Sequence, residues 1–491
     1  MRQRSYLKSR YQALAAYMSA IVAVIGGLHL VPLLLLPFYP SEISHAPAFL
    51  VVGLPLLLIG FLGWRSLKPN EDISVTIQEG FVVVVLVWVI AIITGALPIM
   101  MIDGLNFTQA IFESTSGWTT TGLSVVDVTT APKLLLFFRS LIQLAGGAGL
   151  AILALSAITG PVGSSLSAAE GRGDQLAPHV RESTLIVIRL YFAYIVLGII
   201  GLSLAGMSIF DAVNHTFAAV STGGFSTRPE SIGYWDSTLI EAITIVLMFA
   251  GTINFLVAYT AIKGKWQAIQ RHGEIRLMAL LIPIISVLLF AIVTIGLYPT
   301  MMKAARVAIF ETISALTTTG FSTVGYGDWS DFGWFLLIVL MLIGGGTGST
   351  AGGIKQFRIY ILYKAVLWEV KKAFMPASSV NQPKIWYGDT YKNISDTSIR
   401  HVSVFVGIYF FALMLGASLM MAYGYDMKSS LFEFASSLST VGLSVGITSA
   451  DAPNVVLWAQ IVGMLLGRLE FFAVIIGIIK LLQDTGKAIR A

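Results

Sequence analysis

The chain has 491 residues, 56% of them hydrophobic and only 12% charged, with a mean hydropathy of +0.81. That charged share is about half the usual one for a soluble protein, which points to a polytopic membrane protein and away from a long soluble enzyme. The net charge is +5, and the absence of cysteine excludes disulfides, thiolate metal sites and cysteine nucleophiles.

The basic start MRQRSYLKSR leads into an apolar run from Tyr11 to Pro40, too long for a cleaved signal peptide, so a first spanning helix that stays is expected. Apolar spans are expected near 12–38, 46–64, 80–101, 134–159, 184–207, 238–262, 277–299, 332–366, 401–423 and 452–483. Each is long enough for a hydrocarbon core of roughly 30 Å. Glycines interrupt 332–366 and predict a broken span. Basic residues cluster in alternate loops: Arg2, Arg4, Lys8 and Arg10; Arg65 and Lys68; Arg172 and Arg181; Lys263, Lys265, Arg271 and Arg276; Lys371 and Lys372; Lys487 and Arg490. The positive-inside rule assigns all of these, and both termini, to the cytoplasm.

The loops left on the outer side contain hydrophobic stretches at 105–118, 209–220, 304–316 and 429–438, too short to span and therefore re-entrant candidates. They repeat. IFESTSGWTTTGLSV, VNHTFAAVSTGGFST, IFETISALTTTGFST and LFEFASSLSTVGLSV align without gaps on Gly122, Gly224, Gly320 and Gly442. Nine residues before each glycine stands Glu113, His215, Glu311 or Glu433. The following span carries Gly146, Gly251, Gly344 and Gly467 at offsets of 24, 27, 24 and 25 from the loop glycine. The unit is span, short helix, T-x-G loop, span. Four units follow two extra helices, which predicts an all-α polytopic membrane protein with four tandem helix–pore-helix–filter–helix repeats around one pore. The expected division is 1–70 for the two N-terminal helices, then 71–170, 171–270, 271–370 and 371–491 for the repeats.

Such a unit suits an ion filter. A dehydrated cation needs a close ring of oxygens, which backbone carbonyls supply when consecutive residues point inward. That backbone needs unusual dihedrals, which glycine adopts at little cost. Each short helix would aim its partly negative carboxyl end at the axis, and the threonine hydroxyls add oxygens. The expected filter is Thr120, Thr121, Gly122 and Leu123; Thr222, Gly223, Gly224 and Phe225; Thr318, Thr319, Gly320 and Phe321; and Thr440, Val441, Gly442 and Leu443. A single T-x-G would be read as a turn or a small-residue packing contact; four in register favour the filter. The third repeat also holds TVGYGD at Thr323–Asp328, the letters of the potassium-channel loop. Gly325 is out of register with the other three repeats, so TVGYGD is read as a coincidence in the outer loop. The glutamates and His215 are expected to brace the filter backbone by hydrogen bonds, a reading preferred over direct ion contact.

GGGTGSTAGGIK at Gly344–Lys355 is not a Walker A loop, because Ile354 separates the last glycine from the lysine. Its small residues, Gly344, Gly345, Gly346, Thr347, Gly348, Ser349, Thr350, Gly352 and Gly353, favour an unwound loop lining a cavity below the filter over a helix-packing surface. Arg468, mid-span in LLGRLEFF, has two readings that can both hold: a salt bridge with Glu470 or another buried acid, and a cationic plug below the filter, latched to the carbonyls of 344–353. Lys355, Lys371 and Lys372 fit simple positive-inside charge, with docking of a cytoplasmic partner as the alternative. No HExxH and no serine–histidine pairing at a span centre supports an enzyme.

With STGGFST, TTTGFST, GSTAGGIK and GRLEFF in one chain, the sequence resembles the Trk/Ktr/HKT superfamily of potassium transporters, and within it the TrkH type. The resemblance runs from about residue 80 to the C-terminus, and the two extra N-terminal helices fit the TrkH type better than the shorter KtrB type. It implies potassium as the substrate, because all four filter glycines are present where sodium-preferring plant relatives carry a serine at the first. It implies that loop 344–353, with Lys355 and Arg468, is an intramembrane gate. It also implies a homodimer with one pore per subunit, a cytoplasmic nucleotide-binding regulatory ring of the TrkA/KtrA type, and the cytoplasmic membrane of a prokaryote. Membrane lipid is the remaining expected partner, with no cofactor in the chain and no nucleic acid. Coupled movement of potassium with protons or sodium is the alternative to channel-like flux.

Overall fold

Two antiparallel helices, α1 (Arg2–Leu30) and α2 (Ala46–Leu67), stand first, packed nearly backbone to backbone. A Cβ on Gly26 would lie 2.4 Å from the Leu57 amide nitrogen, and one on Gly60 would lie 2.3 Å from that of Ala23. Small residues permit this approach, the usual means of close helix packing in lipid. The structure is a computed structural model and describes residues 2–67, 76–149, 180–375, 384–387 and 390–490.

One order of elements then recurs four times. The first set is α3 (Ile77–Asp103), the short α4 (Phe107–Trp118), a loop and α5 (Lys133–Ala148). The second is α6 (Val180–Leu204), α7 (Ile209–Val220) and α8 (Thr238–Thr252), continued by α9 (Phe255–Ile262) and α10 (Trp266–Arg271). The third is α11 (Gly273–Leu289), α12 (Met301–Leu316) and α13 (Asp331–Ile343), continued after a break by α14 (Gln356–Lys372). The fourth is α15 (Asp396–Ala422), α16 (Met427–Leu438) and α17 (Asn454–Leu469), continued by α18 (Phe471–Arg490). The short helices begin at polar caps, such as Asn106, Ser208, Thr300 and Asp426, whose side chains accept from the first-turn amides.

Contacts between sets close a ring. α5 packs on α7, α8 on α12, α13 on α16, and α17 on α4. In each case the third helix of one set leans on the short helix of the next, and the fourth set returns to the first. The four short helices sit inside this ring. The glutamates Glu113, Glu311 and Glu433, and His215, are fully buried within them.

The all-α expectation holds, with one addition: a two-stranded antiparallel hairpin, β1 (Lys384–Tyr387) and β2 (Thr390–Asn393), before α15. Several spans differ in form. Among the described residues six helices are long and apolar enough to cross a membrane alone. The expected 238–262 span is interrupted at Ile253 and Asn254, where the backbone turns extended. The expected 452–483 span bends by 98° at Glu470, whose φ of 61° ends α17. Hydropathy averaged over a long window does not register these breaks, because the polar residues at them, Thr252 and Asn254 in one and Arg468 and Glu470 in the other, are few within long apolar runs. The expected 332–366 break is present between α13 and α14. The second half of the 134–159 span, the boundary at 170 and the basic residues Lys68 and Arg172 lie outside the described residues.

Candidate functional site: a ring of four loops and the segment beneath it

Each short helix ends on a residue of negative φ and is followed by a threonine of positive φ. Thr120, Thr222, Thr318 and Thr440 have φ of 56°, 53°, 55° and 50°. The amide of each threonine donates to the carbonyl three residues back, as from Thr120 to Gly117 at 3.1 Å and from Thr318 to Ala315 at 3.2 Å. The next amide reaches five back, as from Thr121 to Ser116 at 2.9 Å and from Val441 to Ser436 at 2.9 Å. This is a helix C-cap of the Schellman kind, with threonine where glycine normally sits. A β-branched residue there costs roughly 1–2 kcal/mol. Strain of this sort persists only where the surroundings impose it. Two residues on, Gly122, Gly224, Gly320 and Gly442 have φ of 97°, 72°, 80° and 101°.

The four glycines meet head to tail. A Cβ on Gly122 would lie 2.3 Å from the Gly223 carbonyl oxygen, and one on Gly224 would lie 2.2 Å from that of Thr319. On Gly320 it would lie 1.9 Å from the Val441 oxygen, and on Gly442 2.2 Å from the Thr121 oxygen. The contacts run from the first loop to the fourth and back to the first, so the four loops form one closed ring of backbone oxygens. Any side chain at these positions would strike backbone, which cannot yield as a flexible side chain can.

On one side the ring opens into a cavity of about 700 Å3, lined by the four glycines, Ser124, Ser226, Ser322 and Ser444 among others. Behind it the buried acids hold the loop backbone. Glu113 accepts from Ser124 Oγ at 3.0 Å and from the Val125 amide at 2.9 Å. Glu433 accepts from Ser444 Oγ at 2.7 Å and from the amides of Val445 and Thr448 at 2.9 and 3.0 Å. His215 does the same work in the second loop, with Nε2 2.9 Å from Ser226 Oγ. In the third loop Glu311 accepts from the Thr323 amide at 2.8 Å and from the Tyr326 hydroxyl at 2.5 Å. Both donors belong to TVGYGD. That motif lies outside the ring and acts as a brace, while Gly325 and Gly327 have open space where a Cβ would stand.

Two residues of this frame escaped the sequence reading. Arg139 is buried, donates to Glu113 at 2.7 Å and to Ser124 at 2.8 Å, and lies 4.1 Å from the centre of the Phe225 ring. Gln143 spans to the second loop, donating to the Gly223 carbonyl at 2.5 Å and accepting from the Phe225 amide at 3.2 Å. The available signal was a pair of polar residues four apart in an apolar span.

On the other side of the ring lies segment 344–355. It leaves α13 at Gly344 (φ 71°) and re-enters α14 after Lys355 (φ 77°). Its ends are tied together: the Gly345 amide donates to the Gly352 carbonyl at 3.3 Å and the Gln356 amide to that of Gly345 at 2.9 Å. Gly344 and Gly353 face each other, and a Cβ on Gly353 would lie 2.7 Å from the Gly344 Cα. The segment touches the strained threonines. The Gly352 amide donates to Thr318 Oγ1 at 2.8 Å, and Thr350 Oγ1 lies 3.1 Å from Thr222 Oγ1. A Cβ on Gly352 would lie 2.1 Å from Thr440 Oγ1. Thr347, Gly348 and Ser349 stand in the middle of the segment, where Ser349 Oγ donates to the Gly346 carbonyl at 2.6 Å.

Gly146, Gly251 and Gly467 share a task that Gly344 does not. A Cβ on them would lie 1.9, 2.6 and 1.8 Å from the last carbonyl of a short helix, at Trp118, Val220 and Leu438. Gly344 faces Gly352 instead.

Arg468 reaches across to the segment. Its guanidinium donates to the Thr350 carbonyl at 2.5 Å and to the Gly146 carbonyl at 2.6 Å. Glu470 pairs instead with Lys355 at 3.3 Å and Arg358 at 2.7 Å. Two cations, Arg468 and Lys355, therefore line a residual cavity of about 20 Å3 beneath the ring, together with Gly352 and Gly467. That volume is close to one water molecule.

This geometry meets its relatives at the level of sequence. A family model described as TrkH, a cation transport protein, matches residues 56–487.

The chain belongs to the TrkH family of cation transport proteins.

An uncharacterized cation transporter of Methanocaldococcus jannaschii is 32% identical over 477 residues, 96% of this chain and 95% of that protein. The Trk system potassium uptake protein TrkH of Vibrio parahaemolyticus is 32% identical over 447 residues, 87% of this chain and 90% of that protein. The crystal structure of the potassium transporter TrkH from Vibrio parahaemolyticus superposes with a TM-score of 0.82 at 28% identity, covering 95% of this chain and 98% of that one. Membership of the TrkH family makes this chain a multi-pass membrane transporter and not an enzyme.

Proposed function

We propose that this chain is the pore-forming subunit of a potassium uptake system, with potassium passing through the ring of the four loops. The residues lining the path are 120–123, 222–225, 318–321 and 440–443. The observation that carries the reading is the head-to-tail contact of each of the four glycines with a backbone carbonyl of the next loop, each glycine two residues beyond a left-handed threonine. Strained backbone repeated four times about one axis suits inward-facing carbonyls that replace a hydration shell. The names borne by relatives, which are potassium uptake proteins, support potassium as the ion.

Segment 344–353, with Lys355 and Arg468, acts as the gate. It lies against the threonines at the end of the ring, and its fixed positive charges oppose a cation there. The chain works as a homodimer in the cytoplasmic membrane with both termini inside, regulated by a cytoplasmic nucleotide-binding ring. The residue ranges 71–170, 171–270, 271–370 and 371–491 are its four repeats. Flux of potassium, rubidium and sodium into liposomes holding the purified chain, with the membrane potential set, tests the function. Flux that follows the potassium gradient at any pH is expected. Flux that requires a proton or sodium gradient would favour a coupled transporter.

A further inference from the structure

Glu274 stands in the first turn of α11, on the connection that leads from α10 into the third repeat. It is buried, and its Oε1 accepts from the Thr347 amide at 2.8 Å. Asn254, at the break after α8, donates from Nδ2 to the Thr347 carbonyl at 2.5 Å. Both backbone groups of Thr347, at the tip of segment 344–353, are thus held by side chains from outside the segment. The adjacent Gly346 amide donates to the Thr252 carbonyl at 3.1 Å. Arg468 grips the same segment at another point, the Thr350 carbonyl.

We propose that Glu274 is a positioning residue that clamps the tip of segment 344–353 in the closed arrangement; this rests on the reading of that segment as the gate. A buried carboxylate that loses a backbone donor is left undersolvated, so the clamp favours the closed state. The clamp is tied to the cytoplasmic connection. Next to it, Gly273 lies against Tyr360 of α14, where a Cβ would come within 2.4 Å of the ring. Tyr360 packs with Ile385 and Ile394 at the hairpin, and Arg271 lies 5.1 Å from the centre of the Trp386 ring. A displacement of the hairpin therefore reaches Glu274 through direct packing.

The chain has no cysteine, so Ser349→Cys is a unique reporter, placed on a residue that is buried beside Thr347. In the full-length protein in liposomes, Glu274→Ala is expected to raise basal potassium flux and the rate of thiol labelling at the reporter. The size is on the order of ten-fold, that of one lost hydrogen bond to a charged group. Preference for potassium over sodium should stay unchanged. Glu274→Gln, whose amide oxygen accepts the same bond, should stay near the parent in both measures. Should Glu274→Ala not fold, Asn254→Ala removes the other hold on Thr347 and is read in the same way. Parent-like flux and labelling in folded Glu274→Ala overturn the clamp, as does a Glu274→Gln protein as open as the alanine variant. If Arg468→Ala alone raises flux, the gate stands and the clamp falls. Faster labelling with unchanged flux in both variants supports the clamp and overturns the gate.

Discussion

At the scale of single residues, the ring sets the tightest constraint at its glycines. A serine at Gly320 would place its Cβ 1.9 Å from the Val441 carbonyl oxygen, at a φ of 80° that L-residues rarely adopt. Gly320→Ser is expected to reduce potassium preference or abolish flux, whereas Gly325→Ala, which meets no atom within 4 Å, should keep selectivity. The ratio of potassium to sodium flux in liposomes reads both variants, and lost selectivity in Gly325→Ala with intact selectivity in Gly320→Ser would move the proposed filter to TVGYGD. The register that separates Gly320 from Gly325 was legible in the aligned repeats. The positive φ of Thr120, Thr222, Thr318 and Thr440 was not, because propensity assigns that conformation to glycine and the helix cap that imposes it is a property of the folded backbone.

At the scale of elements, the third repeat departs from the others. Its inner helix is split by twelve residues, Gly344–Lys355, and the split is held at the Thr350 carbonyl by Arg468. A segment with several small residues and few fixed side chains can hold two arrangements, which gating needs. Arg468→Ala is expected to raise basal potassium flux without altering preference over sodium, since the ring is untouched. Deletion of Gly346–Gly348 should do the same, and the combination should add little beyond either change, because both act on the one gate proposed above. Unchanged or lower flux in well-folded Arg468→Ala protein would assign the arginine to packing alone. The salt bridge with Glu470 is not the alternative, since that carboxylate pairs with Lys355 and Arg358.

At the scale of the molecule, the ring depends on contacts between repeats, and the second and third are joined by charge as well as packing. Arg306 at the start of α12 forms two bonds with Glu241 of α8, at 2.9 and 2.6 Å, and one with Asp236 at 2.7 Å. Arg306→Ala leaves the buried Glu241 without this partner and is expected to destabilise the protein by about 3 kcal/mol. Thermal unfolding in detergent would register this as a lower midpoint, and an unshifted midpoint would deny the pair any structural weight. The exposed Asp236 titrates below the ordinary aspartate range, first through its hydrogen bond from Lys303 and then through Arg306. Its lowered value means that its share of the link is present above about pH 4 and is lost as the pH falls through the folded value.

The amino-acid sequence by itself determined that this is a membrane protein of four repeats, because hydropathy, basic loops and a gap-free alignment on four glycines are local or periodic properties. It also determined which glycine of the third repeat belongs with the others, and that 344–355 interrupts a helix. Only the tertiary structure decided how the repeats meet. That Gly320 abuts Val441, that Gln143 of the first repeat supports the loop of the second, and that Glu274 and Asn254 hold Thr347 are pairings between residues far apart in the chain. No periodicity encodes them, because they arise from the closure of four units around one axis. The bend at Glu470 belongs to the same class: an apolar run specifies that a segment enters the bilayer, and the partners it finds there specify where it turns.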